Sequence, residues 1–182
     1  KGIDIVINGE NAHPNAALAH IRYGINDIHR YLGNPTSANV TTFRNAYTQA
    51  VQTTLGHGII PILWTLSKEK NTSYDAGYDA ANKVIKDLAA AYHLPLVVSN
   101  INARSNPKLF ISDGVHNSNA GNVYLLSLMD QTLMAWFTRG SFAPFFAPEA
   151  EYSIGGTYPA PLPEHFDALL YLEESPKMRS LA

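Results

Sequence analysis

Short apolar runs and longer amphipathic segments alternate along this chain. The runs are nearly all apolar, which is typical of strands that are buried on both faces of a sheet. We predict strands at residues 3–7, 18–23, 59–64 and 96–98. Elsewhere, apolar side chains recur at the spacing of an amphipathic helix. We predict helices at about residues 39–55, 74–92 and 120–137.

Strands that alternate with helices form a parallel sheet with helices on both faces. The predicted fold class is therefore α/β, with three layers (α/β/α) around a mostly parallel sheet. Residues 139–182 are rich in proline and aromatic side chains and do not continue this alternation. We expect one domain at residues 1–138 and a C-terminal extension at residues 139–182.

The composition excludes several classes of function. The net charge of −2 provides no basic surface for a nucleic acid. No apolar run approaches the roughly 18 residues that a membrane span needs, so we expect neither nucleic acid nor membrane as a partner. The chain has 0 cysteines, which excludes a cysteine nucleophile, thiolate metal ligands and disulfides.

Two polar motifs follow predicted strands. Asp113-Gly-Val-His116 has a carboxylate three residues before an imidazole, and Gly24-Ile-Asn-Asp27 follows the strand predicted at 18–23. A carboxylate beside a histidine can orient the ring and stabilise the imidazolium that forms when the ring accepts a proton. Active sites of parallel sheets form at the carboxyl ends of the strands. Because both motifs are predicted at that edge, together they indicate an active site.

Taken together, these two motifs resemble the third and fifth conserved blocks of the SGNH (GDSL-type) hydrolases. The resemblance covers roughly residues 1–138 and implies a flavodoxin-like fold. It also implies that a Ser-His-Asp triad hydrolyses an acyl ester, with neither a cofactor nor a metal ion. His116 would be the general base, Asp113 its orienting carboxylate, and Asn26 a donor to the oxyanion.

The same resemblance implies supporting roles for three further residues. Gly24 would allow a tight backbone turn beside the substrate, and Asp27 would hold that turn through hydrogen bonds. Gly9, in Asn8-Gly-Glu-Asn11, is the best match to the family's oxyanion-hole glycine.

The family's nucleophile block, a Gly-Asp-Ser at the end of the first strand, has no counterpart here. The first serine is Ser37, after the position that the family order requires. The nucleophile is therefore unassigned, and we expect its serine to lie upstream of Lys1. A separate chain produced by cleavage, or a pseudoenzyme, would also account for its absence.

The resemblance implies an acylated carbohydrate or a small ester as the substrate. We favour an O-acetylated carbohydrate, because the polar loops at 100–106 and 117–119 would suit sugar hydroxyls. We also expect the chain to belong to a larger polypeptide or an oligomer. A secreted or extracellular protein, including one on a virion, is the favoured setting.

Two alternatives remain open at this stage. The first is an inactive carbohydrate-binding or structural module, in which Tyr152, Tyr158 and Phe166 could stack on sugars. The second is a metal-dependent phosphoesterase. Its carboxylate and imidazole ligands would be Glu10, His13, His57, Asp113 and His116.

Overall fold

The structure, a computed structural model, describes residues 16–99 and 101–138. Its strands are β1 (Leu18–Ile21), β2 (Ile60–Trp64) and β3 (Leu96–Val97). Its α-helices are α1 (Ile25–Asp27), α2 (Ser37–Gly56), α3 (Asp75–Ala91) and α4 (Asn119–Thr138). A π-helical turn at Ile28–Leu32 extends α1, and 3-10 turns occur at Thr72–Tyr74 and Pro107–Leu109.

The three strands form one parallel sheet in the order β1-β2-β3. Ile21 is in register with Leu63, and Leu63 with Leu96. All residues of the central strand β2 are buried, as its uninterrupted apolar sequence predicts. The predicted α/β class with a parallel sheet is confirmed.

Proline occurs in the central strand at Pro61, where a backbone donor is normally needed. Along β2, Ile60 donates its N–H toward β1, to Ala17, whereas Leu63 donates toward β3, to Pro95. Because the N–H direction alternates along a strand, Pro61, two residues before Leu63, would also have its N–H on the β3 side. Because β3 begins only at Leu96, no ladder hydrogen bond is lost there.

The helices pack on the sheet with the faces that their periodicity predicts. In α2 the buried residues include Phe43, Tyr47 and Val51, and the Thr36 side chain caps the helix by accepting from the Asn39 N–H at 3.2 Å. In α3 every residue of the predicted apolar face is buried: Tyr78, Ala81, Val84, Ile85, Leu88 and Ala89. These two helices contact each other and β2. No helix among the described residues is long and apolar enough to span a membrane.

One local prediction around β1 is wrong, since the strand predicted to reach residue 23 ends at Ile21. The predicted turn at 24–27 is a single turn of helix, in which the Gly24 carbonyl accepts from the Ile28 N–H at 2.9 Å. The predicted strand at 3–7, Gly9 and the extension at 139–182 lie outside the described residues.

Candidate active site

The two predicted motifs lie on segments that are joined by a hydrogen bond. Arg22 directly follows β1, and Asn117 directly follows His116. The Arg22 guanidinium donates from Nη2 to Oδ1 of Asn117 at 2.8 Å, although the two residues are 95 positions apart. This contact holds the loop that carries His116 against the carboxyl end of β1.

Asp113 and His116 form a hydrogen-bonded pair. His116 Nδ1 lies 2.6 Å from Asp113 Oδ2. The other carboxylate oxygen, Oδ1, accepts from the N–H of Val115 at 2.8 Å and from that of His116 at 3.0 Å. With Nδ1 donating to the carboxylate, Nε2 becomes the basic nitrogen of the ring. Nε2 has no hydrogen-bond partner among the described residues.

These hydrogen bonds stabilise the ionised form of Asp113. The Val115 N–H contributes most, followed by the His116 side chain, and together they lower the pKa of Asp113 to about 2. Its carboxylate is therefore ionised when the imidazole accepts a proton, and it can stabilise the imidazolium that results. Both side chains are open to solvent, with exposed fractions of 74% for His116 and 42% for Asp113. The pair is therefore accessible from solvent.

The turn between the two residues requires glycine. Gly114 has φ +67°, and a Cβ there would lie 2.8 Å from the Cβ of Lys70. The Lys70 N–H donates to the Gly114 carbonyl at 3.1 Å, which ties the turn to the segment after β2. Sequence reasoning missed Lys70, because only the folded loop brings it to Gly114.

The loop is closed at its base by a short antiparallel contact. Ile111 N–H donates to the His116 carbonyl at 2.9 Å, and Ser118 N–H donates to the Leu109 carbonyl at 3.0 Å. The Ser118 hydroxyl accepts from the Gly121 N–H at 3.2 Å and so caps α4.

The turn after β1 also depends on a glycine. Gly24 has φ +130°, and a Cβ there would lie 2.9 Å from Leu66 Cδ1 and 3.1 Å from Phe43 Cε2. A side chain would therefore be both strained and crowded. This geometry explains why glycine is required at position 24, which the motif alone did not.

The other two residues of this motif differ in their surroundings. Asn26 is exposed in α1, and its side-chain amide has no hydrogen-bond partner among the described residues. Asp27 lies close to the hydroxyl of Tyr31. Burial and the negative charge of Asp27 raise the pKa of Tyr31 to about 12. Asn26 thus has free donors at the predicted edge, whereas Asp27 interacts within its own segment.

Serine hydroxyls among the described residues do not hydrogen-bond with His116. Ser67 and Ser99 are buried, and their hydroxyls bond to each other at 2.6 Å. Ser112 is exposed but belongs to the loop of the pair itself. The nucleophile remains unassigned, and Gly9 is not among the described residues.

Sequence reasoning missed a second acid–histidine pair, formed by His29 and Glu69. Nε2 of His29 lies 2.9 Å from Oε2 of Glu69, whose side chain is only 3% exposed. The His29 ring also contacts Tyr74, with 4.6 Å between ring centroids. The sequence offered no signal for this pair, because Glu69 lies between Lys68 and Lys70 and only the fold buries it.

The predicted metal ligands do not assemble within the described residues. No group of three or more histidine, aspartate or glutamate side chains is arranged there to hold a metal ion. Asp113 and His116 are paired with each other, and His57 does not join them. Glu10 and His13 lie outside the described residues.

Comparisons with known proteins support the fold. A scan against protein-family models finds no match, and a search of curated proteins finds none. Among solved structures, the crystal structure of an acetyl xylan esterase, AlAXEase, matches with a TM-score of 0.57. The match covers 73% of this chain and 76% of that chain. The two chains share a fold. At 19% identity, the likeness extends to the fold and no further.

Proposed function

We propose that this chain belongs to a serine esterase of the SGNH type, which removes an acyl group, specifically acetyl, from a carbohydrate. The observation that carries the proposal is the Asp113–His116 pair, with its Nδ1–Oδ2 distance of 2.6 Å. The fold shared with an acetyl xylan esterase supports the proposal, and the name of that protein suggests the class of substrate. The open site suits a polymer, because the His116 side chain is 74% exposed.

In the proposed reaction, a serine hydroxyl from outside the described residues attacks the ester carbonyl. Nε2 of His116 accepts the serine proton as the Oγ–C bond forms, and Asp113 stabilises the resulting imidazolium. His116 then returns the proton to the leaving sugar oxygen as the ester bond breaks. Water hydrolyses the acyl-enzyme by the same steps, which releases acetate and the free serine.

The negative charge that develops on the carbonyl oxygen needs donors already in position. The free side-chain amide of Asn26 is the proposed donor among the described residues. The backbone N–H of Gly9 is the proposed second donor. Asp27 and Gly24 are proposed to hold the turn that carries Asn26.

The test uses the full-length natural protein, with p-nitrophenyl acetate and acetylated xylan as substrates. We expect His116→Ala to remove nearly all of kcat, and Asn26→Ala to lower it by about 10²–10³-fold, as loss of an oxyanion donor does elsewhere. His57→Ala is the matched control, because His57 precedes β2 and so lies at the amino ends of the strands, whereas the candidate site lies at their carboxyl ends. A serine-directed inhibitor should abolish turnover, and a chelator should not.

Two results would reject the proposal. Full activity in His116→Ala would exclude the general base that the mechanism requires. Binding of acetylated xylan without any turnover by the full-length protein would favour the inactive-module alternative instead.

A further inference from the structure

Arg22 is an unusual residue in this fold, because it is a half-buried cation without a carboxylate partner among the described residues. Its Nε is buried and makes no hydrogen bond with the described residues, and the same is true of Nε1 of the neighbouring Trp64. Burial lowers the pKa of Arg22. Taking a charge out of water costs stability unless its contacts compensate for the lost hydration. Burial alone therefore gives no reason for an arginine at this position.

The surroundings of Arg22 join the separate segments of the candidate active site. Its guanidinium carbon lies 5.8 Å from the ring centroid of Trp64, the last residue of β2. Its Nη2 donates to Oδ1 of Asn117 at 2.8 Å, and Nδ2 of Asn117 donates to the Leu109 carbonyl at 3.4 Å. A rigid strand end is thereby connected, through two side chains, to the base of the loop that carries His116.

We propose that Arg22 is a positioning residue, which holds the His116 loop at a fixed distance from the turn that carries Asn26. It acts through Asn117 and does not touch the reacting atoms. The inference rests on the proposed function, in which His116 and Asn26 must act on the same ester. Arginine suits this role because its guanidinium is planar. It can stack on an aromatic ring while its N–H groups donate within the plane of the guanidinium. Lysine would keep the charge and lose that geometry.

The decisive variant is Arg22→Met, which keeps an unbranched apolar side chain over Trp64 and removes the guanidinium. We expect kcat of the full-length protein to fall about 10–100-fold with KM little changed, since small misplacements of catalytic groups cost up to about 10²-fold. We expect the thermal midpoint to stay the same or rise. A merely structural arginine would instead lower the midpoint and leave kcat per folded molecule unchanged. Arg44→Met is the matched control, because Arg44 pairs with Asp87 at 2.7 Å between the two helices α2 and α3.

A double-mutant cycle separates the effect of the Arg22–Asn117 hydrogen bond on kcat from the other effects of each residue. If Arg22 acts through Asn117, then Arg22→Met combined with Asn117→Ala should lower kcat no further than the more severe single change. In Arg22→Ala, millimolar ethylguanidinium should restore part of kcat, and the same concentration of urea should not. Additive effects in the cycle, together with no rescue, would overturn the proposal.

A readout that does not need turnover distinguishes failure of this inference from failure of the proposed function. The imidazole C–H resonances of His116 report the position and mobility of the loop by NMR. We expect Arg22→Met to shift or broaden them, and Arg44→Met to leave them unchanged. If the wild-type protein has no esterase activity, a shifted His116 signal still supports the positioning role. Unchanged signals and unchanged kcat in Arg22→Met would refute it.

Discussion

Gly121→Ala is a sharp test of how α4 supports the candidate active site. Gly121 lies in the first turn of α4 and is buried. A Cβ there would overlap the backbone carbonyl oxygen of Leu109, and it would lie 3.0 Å from the carbonyl carbon and 3.2 Å from Asn117 Cβ. The Leu109 carbonyl is the acceptor that closes the base of the His116 loop, through the Ser118 N–H. The methyl group of alanine would therefore displace the Leu109 carbonyl and weaken the hydrogen bond that it accepts from the Ser118 N–H.

Opposing effects determine the sign of the stability change. Alanine is favoured over glycine inside a helix by about 1 kcal/mol. Overpacking costs about 1–3 kcal/mol, and the weakened Leu109 hydrogen bond adds about 1 kcal/mol. Because the obstructing atoms belong to the backbone, no side chain can move aside to relieve the overlap. We expect a net loss of roughly 1–3 kcal/mol in the free energy of unfolding.

The assay is urea unfolding of Gly121→Ala beside Gly56→Ala. Gly56 ends α2, and no atom of the part of the chain that the structure describes lies within 4 Å of the position that its Cβ would occupy. The same substitution there should be neutral or stabilising by up to about 1 kcal/mol. Esterase activity per folded molecule should fall only in Gly121→Ala, because only that change disturbs the His116 loop. Equal stabilisation of both variants would refute the packing argument.

The pairs of acid and histidine lead to two further predictions. His29→Ala leaves the Glu69 carboxylate buried and unpaired, so we expect a loss of roughly 2–3 kcal/mol, at or just below the lower end of the range for broken buried pairs because the His29 side chain is 34% exposed. Urea unfolding should show most of this loss recovered in the double variant His29→Ala/Glu69→Gln, and an unchanged His29→Ala would contradict the assignment. The pKa of Asp113 is lowered from 3.8 to about 2, so its ionised form stabilises the fold above pH 3.8 and this contribution is lost as the pH falls toward 2. The difference in urea midpoint between the wild type and Asp113→Asn should therefore be constant above about pH 5 and shrink below pH 4; a constant difference down to pH 2 would contradict it.

Helices and strands could be predicted because their signals are local. The buried face of α3 follows from side-chain spacing alone, and the observed bounds, Asp75–Ala91, differ from the prediction by one residue at each end. The Asp113–His116 pair was predictable for the same reason, since its residues are three positions apart. The α/β fold with a parallel sheet was likewise implied by the alternation of strand and helix patterns.

The rest of the site depends on contacts across the sheet, which spacing along the chain does not reveal. The Arg22–Asn117 bond joins residues 95 positions apart, and its existence depends on where β1 ends. The His29–Glu69 pair likewise spans 40 positions. The need for glycine at position 121 comes from the approach of the Leu109 backbone, which no local pattern shows. The oxyanion glycine, Gly9, stays a prediction.

The hydrogen bonds that orient the Asp113 carboxylate all come from the next three residues of the chain. Forming them closes only a very small loop, so their entropic cost in the unfolded chain is low. The acid–base pair can thus assemble early in folding, before the sheet brings distant segments together. A graft of the segment from Leu109 to Gly121 onto a designed α/β scaffold would carry its own closing bonds and helix cap, but the scaffold would have to supply the donors that Arg22 and Lys70 provide here.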